Sequence, residues 1–194
     1  TLYHTNYDDF HYYEKFVDPE FKIGPTLETV MGTLSLRLAN ATFIPYDVVK
    51  YATDLEIHFE KAEKQVKQFN AEFDGFNSSI AALSKLKMNA KKVNNHIKNH
   101  ANNEKLSGTT ISKINAKLIE LEKSFLEPNG MPYGDWYKSM YASSDPFSGY
   151  ASWILPGIQY QIEMQDESKI SYWDEKYAKA IQELNTKLDE ILKL

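Results

Sequence analysis

The sequence predicts an all-α, four-helix-bundle-like fold, and three observations carry the prediction. Four segments between Pro45 and Leu194 repeat apolar residues at three- and four-residue intervals, the spacing of one helix face. Breakers separate them at Pro45, Asp74-Gly75, the 102–108 stretch and Glu127-Pro128. No single amphipathic stripe can bury itself, so four of them imply mutual packing around a common core.

Residues 1–44 differ in kind from the four periodic segments. Leu2-Tyr3-His4 leads into an aromatic, acidic stretch, then Phe16-Val17-Asp18-Pro19, then a predicted helix from about Thr26 to Ala41. Thr26, Glu28 and Thr29 suit its first turn, and Val30, Leu34 and Leu38 are expected on its buried side. The segment reads as the end of another domain, which separated from its surroundings would expose Phe10, Tyr12, Phe16 and Phe21.

The first bundle helix follows Ile44-Pro45, with Asp47 complementing its N-terminal dipole and Leu55, Phe59, Ala62 and Val66 on one face. The second follows Asp74-Gly75 and runs toward His100 with Phe76, Ile80, Leu83, Ala90, Val93 and Ile97 as its stripe. After a loop over residues 102–108, Ile111, Ile114, Leu118, Leu121 and Phe125 define a third helix that Glu127-Pro128 ends. A fourth, from about Ser171 to Leu194, presents Tyr177, Ile181, Leu184, Leu188 and Ile191. Between the third and fourth lies Asn129–Tyr160, with seven aromatic side chains before Tyr160 and turn residues at Asn129-Gly130, Asp145-Pro146, Gly149 and Pro156-Gly157. So aromatic a connection is a structured functional loop rather than a linker, and Trp153, Ile154 and Leu155 are expected to anchor it to the bundle.

Composition narrows the classes. The chain has 194 residues, 42% hydrophobic and 25% charged, with a formal charge of -5 and interspersed signs. That supports one sizeable core and argues against nucleic acid as a partner, since no basic stripe is present. Cysteine is absent, which excludes disulfides and thiolate metal sites. No apolar run approaches the length of a membrane span. The start at Thr1 rather than Met reads as a piece of a longer protein, with a processed mature chain as the alternative.

Smaller motifs have bland readings beside functional ones. Asn40-Ala41-Thr42 and Asn77-Ser78-Ser79 are glycan sequons, Asn77 also being placed to cap a helix. His96 and His100 have the i, i+4 spacing of metal ligands without a third ligand at a metal-site spacing, and read as surface residues. Lys85, Lys87, Lys91, Lys92 and Lys98 read as a solvated face.

Four ordered blocks, LYHTNYDDF, EKFVDPEF, LANATFIPYD and FSGYASWILPGI, resemble the glutamate carboxypeptidase and transferrin receptor family across essentially the whole chain. The resemblance implies that residues 1–44 end an α/β zinc-exopeptidase domain and that 45–194 form the helical dimerisation domain. It implies that His4 is one ligand of a two-zinc site, that Tyr3 is a catalytic residue whose hydroxyl approaches the developing oxyanion, and that Gly149-Tyr150 lies on a substrate-binding loop. Glutamate-preferring members carry Lys-Tyr there, so Gly149 puts a preference for C-terminal glutamate in doubt. A homodimer, a peptide substrate, a membrane anchor upstream of this chain, and a secretory, vacuolar or cell-surface location with glycans at Asn40 and Asn77 are further implications. The other zinc ligands lie upstream in the family, so the fragment alone is expected to be inactive. The alternative is a non-catalytic receptor or vacuolar-sorting adaptor built on the same architecture.

Overall fold

The computed structural model describes residues 2–101 and 107–194, so most of the predicted 102–108 loop lies outside the described residues. The chain divides into two compact units, Thr1–Pro45 and Tyr46–Leu194.

The first unit holds a short helix α1 (Phe10–Tyr12), capped by Asp9 and continued by a π-turn over Tyr13–Val17, and a long helix α2 (Ile23–Ala39). Asp18, buried, joins them: its carboxylate accepts the Lys22 and Ile23 backbone N–H groups, each at 2.8 Å, and the Tyr13 hydroxyl at 3.1 Å. It thereby satisfies donors that the start of α2 leaves open. Helix α2 begins three residues before the predicted Thr26, with Pro25 accommodated in its first turn. Its expected buried side is corrected: Val30, Leu34 and Leu38 are all about half exposed, and no residue of α2 is buried. Ile23, Leu27 and Met31 lie on the same face and are exposed too, so α2 carries an apolar stripe that its own unit does not cover. Phe10, Phe16 and Phe21 are exposed as expected, with Tyr12 half-buried.

The second unit is the helical bundle, formed by α3 (Val48–Val66), α4 (Asn77–Ala101), α5 (Gly108–Glu120), α6 (Pro156–Glu163) and α7 (Ile170–Ile191), with a two-stranded antiparallel sheet of β1 (Ala142–Ser144) and β2 (Ser152–Ile154). Helices α4 and α7 form the central pair, α3 packs on α4, and α5 and α6 pack on α7. The predicted stripes face inward. Leu55, Phe59, Ala62 and Val66 of α3, and Tyr177, Ile181, Leu184, Leu188 and Ile191 of α7, are all buried. Phe59 sits at their meeting point, edge-on to Tyr177 at 5.7 Å and tilted against Phe76 at 5.5 Å. The α5 stripe continues past the helix end through a 3₁₀ turn at Glu122–Phe125, so Leu121 and Phe125 remain buried.

The helix ends show which caps operate. Asp47 caps α3 by accepting the Lys50 N–H at 3.0 Å, and Ser107 caps α5 by accepting the Thr110 N–H at 3.1 Å. Asn77 does not cap α4: it is exposed, and its amide donates to the Asp74 carbonyl at 3.4 Å. The cap arrives from α7. Asp174, 8% exposed, accepts the Ser78 and Ser79 N–H groups, both at 3.0 Å, while the Ser79 hydroxyl donates to the Asp174 carbonyl. One carboxylate thus satisfies the positive end of α4 and ties it to the first turns of α7. Asp174→Ala is expected to lower stability by about 2 kcal/mol, because buried donors are left open, whereas Asn77→Ala should change it by only a few tenths. Equal denaturant midpoints for the two variants would return the capping role to Asn77.

Candidate functional site

The connection from Leu126 to Tyr160 is ordered by hydrogen bonds. Its first half is closed by bridges between Leu126 and Ser139 and between Met131 and Gly134, with the Glu127 N–H donating to the Lys138 carbonyl at 2.8 Å. Gly130 is required there: its φ is 80°, and a Cβ would lie 2.5 Å from the Asp135 Cα. Glu127 fastens this half to α7 through an ion pair with Lys176 at 2.5 Å and accepts the Asn129 N–H. Burial pushes the Glu127 carboxyl up, but the Lys176 ammonium and the Asn129 N–H outweigh it and hold the group below its usual value.

The second half is the hairpin. Strands β1 and β2 pair Ala142 with Ile154, Ser143 with Trp153 and Ser144 with Ser152. The turn between them is pinned by Asp145, whose carboxylate accepts the Phe147 N–H and the Ser148 hydroxyl, both at 2.7 Å, and whose carbonyl accepts the Gly149 N–H at 2.8 Å. These bonds hold the Asp145 carboxyl below its ordinary value, the Ser148 hydroxyl contributing most. Gly149 takes φ of 73°, the left-handed region where glycine is unstrained. Tyr150 follows it, 89% exposed, with Phe147 beside it on the same turn at 67%.

Beneath the turn the aromatics are packed. Trp153, buried, lies edge-on to Phe147 at 5.9 Å and to Tyr133 at 5.6 Å, and Tyr133 also meets Tyr137 and Tyr160. The Tyr133 hydroxyl shares a 2.5 Å hydrogen bond with Ser143. Leu155, buried with φ of 53°, then turns the chain into α6, where the Gly157 N–H donates to the buried Tyr177 hydroxyl at 3.2 Å. A rigid base therefore carries an exposed tip, the arrangement expected of a segment that meets something outside its own unit. Trp153 and Leu155 anchor the loop as expected, and Ile154 is half-buried.

Tyr3 and His4, in the first unit, are exposed and stacked with ring centroids 3.8 Å apart, His4 having φ of 63°. Gly149 and Tyr150 belong to the second unit. Among the described residues no group of three or more His, Asp or Glu side chains could hold a metal. The sequons Asn40 and Asn77 are both exposed, Asn40 with its amide donating to the Leu36 carbonyl at 2.9 Å.

One cleft corresponds to no motif in the sequence. It has a volume of about 580 Å³ and is lined by Tyr51, Glu122, Phe125, Ser139 and Tyr141, with Tyr51 stacked on Tyr141 at 5.0 Å. Tyr46 donates to Glu122 at 2.9 Å, and burial, reinforced by that carboxylate, pushes its hydroxyl well up. The signal that could find it is Tyr51, one turn before Leu55 at the edge of the α3 stripe.

With the geometry established, relationships to known proteins identify the lineage. The family model of the transferrin receptor-like dimerisation domain matches residues 57–189. The chain belongs to the transferrin receptor-like dimerisation domain family. Its relatives include a probable glutamate carboxypeptidase of Arabidopsis thaliana, 28% identical over 163 residues, covering 84% of this chain and 23% of the relative. An aminopeptidase of Rattus norvegicus is 30% identical over 139 residues, 70% of this chain and 18% of its own. A probable glutamate carboxypeptidase of Arthroderma benhamiae is 23% identical over 189 residues, 92% of this chain and 24% of its own. The chain thus spans roughly a quarter or less of the curated relatives it matches. The transferrin receptor-like match lies wholly within the helical unit and takes in the hairpin and its anchor.

Proposed function

We propose that this chain is the C-terminal part of a zinc-dependent exopeptidase of the carboxypeptidase type, with the helical unit serving assembly and its hairpin serving substrate binding. The observation that carries the reading is the hairpin tip: Tyr150 is 89% exposed on a turn whose every neighbour is fixed. The backbone of the turn is fixed while the phenol projects into solvent, where it can donate to the terminal carboxylate of a peptide, and Gly149 supplies the turn but no positive charge. The reading takes residues 1–44 as the end of the catalytic domain, which the apolar, uncovered surface of α2 supports, since such a helix needs more protein around it. His4 then supplies one ligand to a two-zinc site whose other ligands lie upstream, and Tyr3 stands beside it. The zinc pair would supply Lewis-acid activation of the peptide bond, and this chain alone would not hydrolyse peptides. The helical unit would form a two-fold homodimer, a membrane anchor would lie upstream, and Asn40 and Asn77 would carry glycans on the lumenal or extracellular side.

Elemental analysis and peptide hydrolysis of the full-length parent test this together. About two zinc ions per chain are expected, with Tyr150→Phe raising KM tenfold or more, as loss of a hydrogen bond to a charged group of roughly 1.5–3 kcal/mol requires, and leaving zinc content unchanged. A zinc-free parent without hydrolytic activity would instead support the receptor or sorting-adaptor reading.

A further inference from the structure

The last two turns of α4 hold a pair of histidines that the exopeptidase reading does not use. His96 and His100 lie one helical turn apart, both half-buried, with Nε2 atoms 2.9 Å from one another and rings nearly perpendicular at a centroid distance of 4.2 Å. We propose that His96 and His100 form a two-imidazole clip for a divalent transition metal ion of tetragonal geometry, Cu2+ or Ni2+, whose remaining positions are filled by water.

The separation of the nitrogens suits a right-angled site. Metal–imidazole bonds of roughly 2.0–2.1 Å place two cis ligands about 2.9 Å apart at a right angle and about 3.3–3.4 Å apart at a tetrahedral angle. The 2.9 Å, set here by a hydrogen bond, already matches the right-angled span, and Cu2+ and Ni2+ take imidazoles in square-planar and tetragonal sites. Two further features favour a cation here. His100 lies in the last turn of α4, the end at which the helix dipole favours a cation. Helical backbone fixes the two Cα positions, so little ordering remains to be done on binding. Lys98 shares the final turn but is exposed, where water and salt screen its charge. Without metal, one Nε2–H donates to the other Nε2; on binding, that proton moves to Nδ1 of the same ring, so both Nε2 lone pairs are open to the ion.

The test is titration of the intact chain with Cu2+, Ni2+ and Zn2+ salts by calorimetry, with electron paramagnetic resonance of the Cu2+ form. The expected result is one ion per chain, affinity in the order Cu2+, Ni2+, Zn2+, and a tetragonal Cu2+ spectrum with coupling to two imidazole nitrogens. His96→Ala and His100→Ala should each weaken Cu2+ binding about tenfold or more and remove one nitrogen coupling, while His58→Ala should leave both unchanged. Circular dichroism confirms that each variant keeps its helix content, as half-buried positions at a helix end should permit. Copper affinity indifferent to either substitution would reduce the pair to a hydrogen bond, and tighter binding of Zn2+ than of Cu2+ would overturn the tetragonal geometry.

Discussion

Leu184→Asp is expected to abolish the folded helical unit. Leu184 is fully buried on α7, in the stripe that runs from Tyr177 to Ile191. Helix α7 is also the element against which α4, α5 and α6 all pack. An aspartate there must either ionise without a partner or take up a proton, and in both states it also leaves the volume of the leucine unfilled. The penalty is about 4–5 kcal/mol or more, the range reserved for buried charges and large cavities. A domain of this size has roughly 5–15 kcal/mol in total. Loss of the cooperative transition followed by far-ultraviolet circular dichroism is therefore the expected outcome, while Leu184→Met, which nearly conserves volume, should stay within about 1.5 kcal/mol of the parent sequence. A cooperative melt for Leu184→Asp near the unmodified temperature would show that the stripe does not face the core.

The parts of this fold that the sequence announces are those written in local periodicity. Helices α3 and α7 each bury a face repeated over five turns or more, and no feature elsewhere in the chain is needed to recognise it. Helix α2 misleads for the same reason. Its residues fit a helical stripe at Val30, Leu34 and Leu38, extended by Leu27 and Met31, yet periodicity says only which face is apolar and not whether the same unit covers it. Three-residue strands are too short to display alternation, which hides the hairpin within its loop. Helix α6 is hidden because Pro156-Gly157 reads as a turn, although proline in the first helical position is also a start signal. The cap of α4 comes from Asp174, about a hundred residues along the chain, and no local pattern contains it. The functional positions divide in the same way. Gly149-Tyr150 are neighbours and can be found as a motif, while the cleft bounded by Tyr51, Glu122 and Tyr141 draws on three separate segments.

Gly157→Ala should have the second largest effect, and it reaches the hairpin. The sequence shows Gly157 only as half of a Pro-Gly turn signal, but its backbone lies against the indole of Trp173, and a Cβ there would stand 2.3, 2.5 and 2.6 Å from three ring carbons. Trp173 cannot swing away, being 3% exposed and packed against Tyr172 and Tyr177. Helix α6 must therefore retreat. Overpacking of this kind costs about 1–3 kcal/mol. The retreat also breaks the hydrogen bond from the Gly157 N–H to the Tyr177 hydroxyl, leaving two buried polar groups unpaired for about 1–3 kcal/mol more. A loss near 3 kcal/mol would lower the melting temperature by roughly 6–12 °C for a chain of this length. Because β2 runs through Leu155 directly into α6, the movement is passed to the strand that carries the turn with Tyr150. Under the function proposed above, the variant should thus raise the KM of the longer protein as Tyr150→Phe does, although Gly157 is buried. A variant that melts within about 2 °C of the parent sequence would show that the contact between α6 and α7 can relax, and that the hairpin is not held by it.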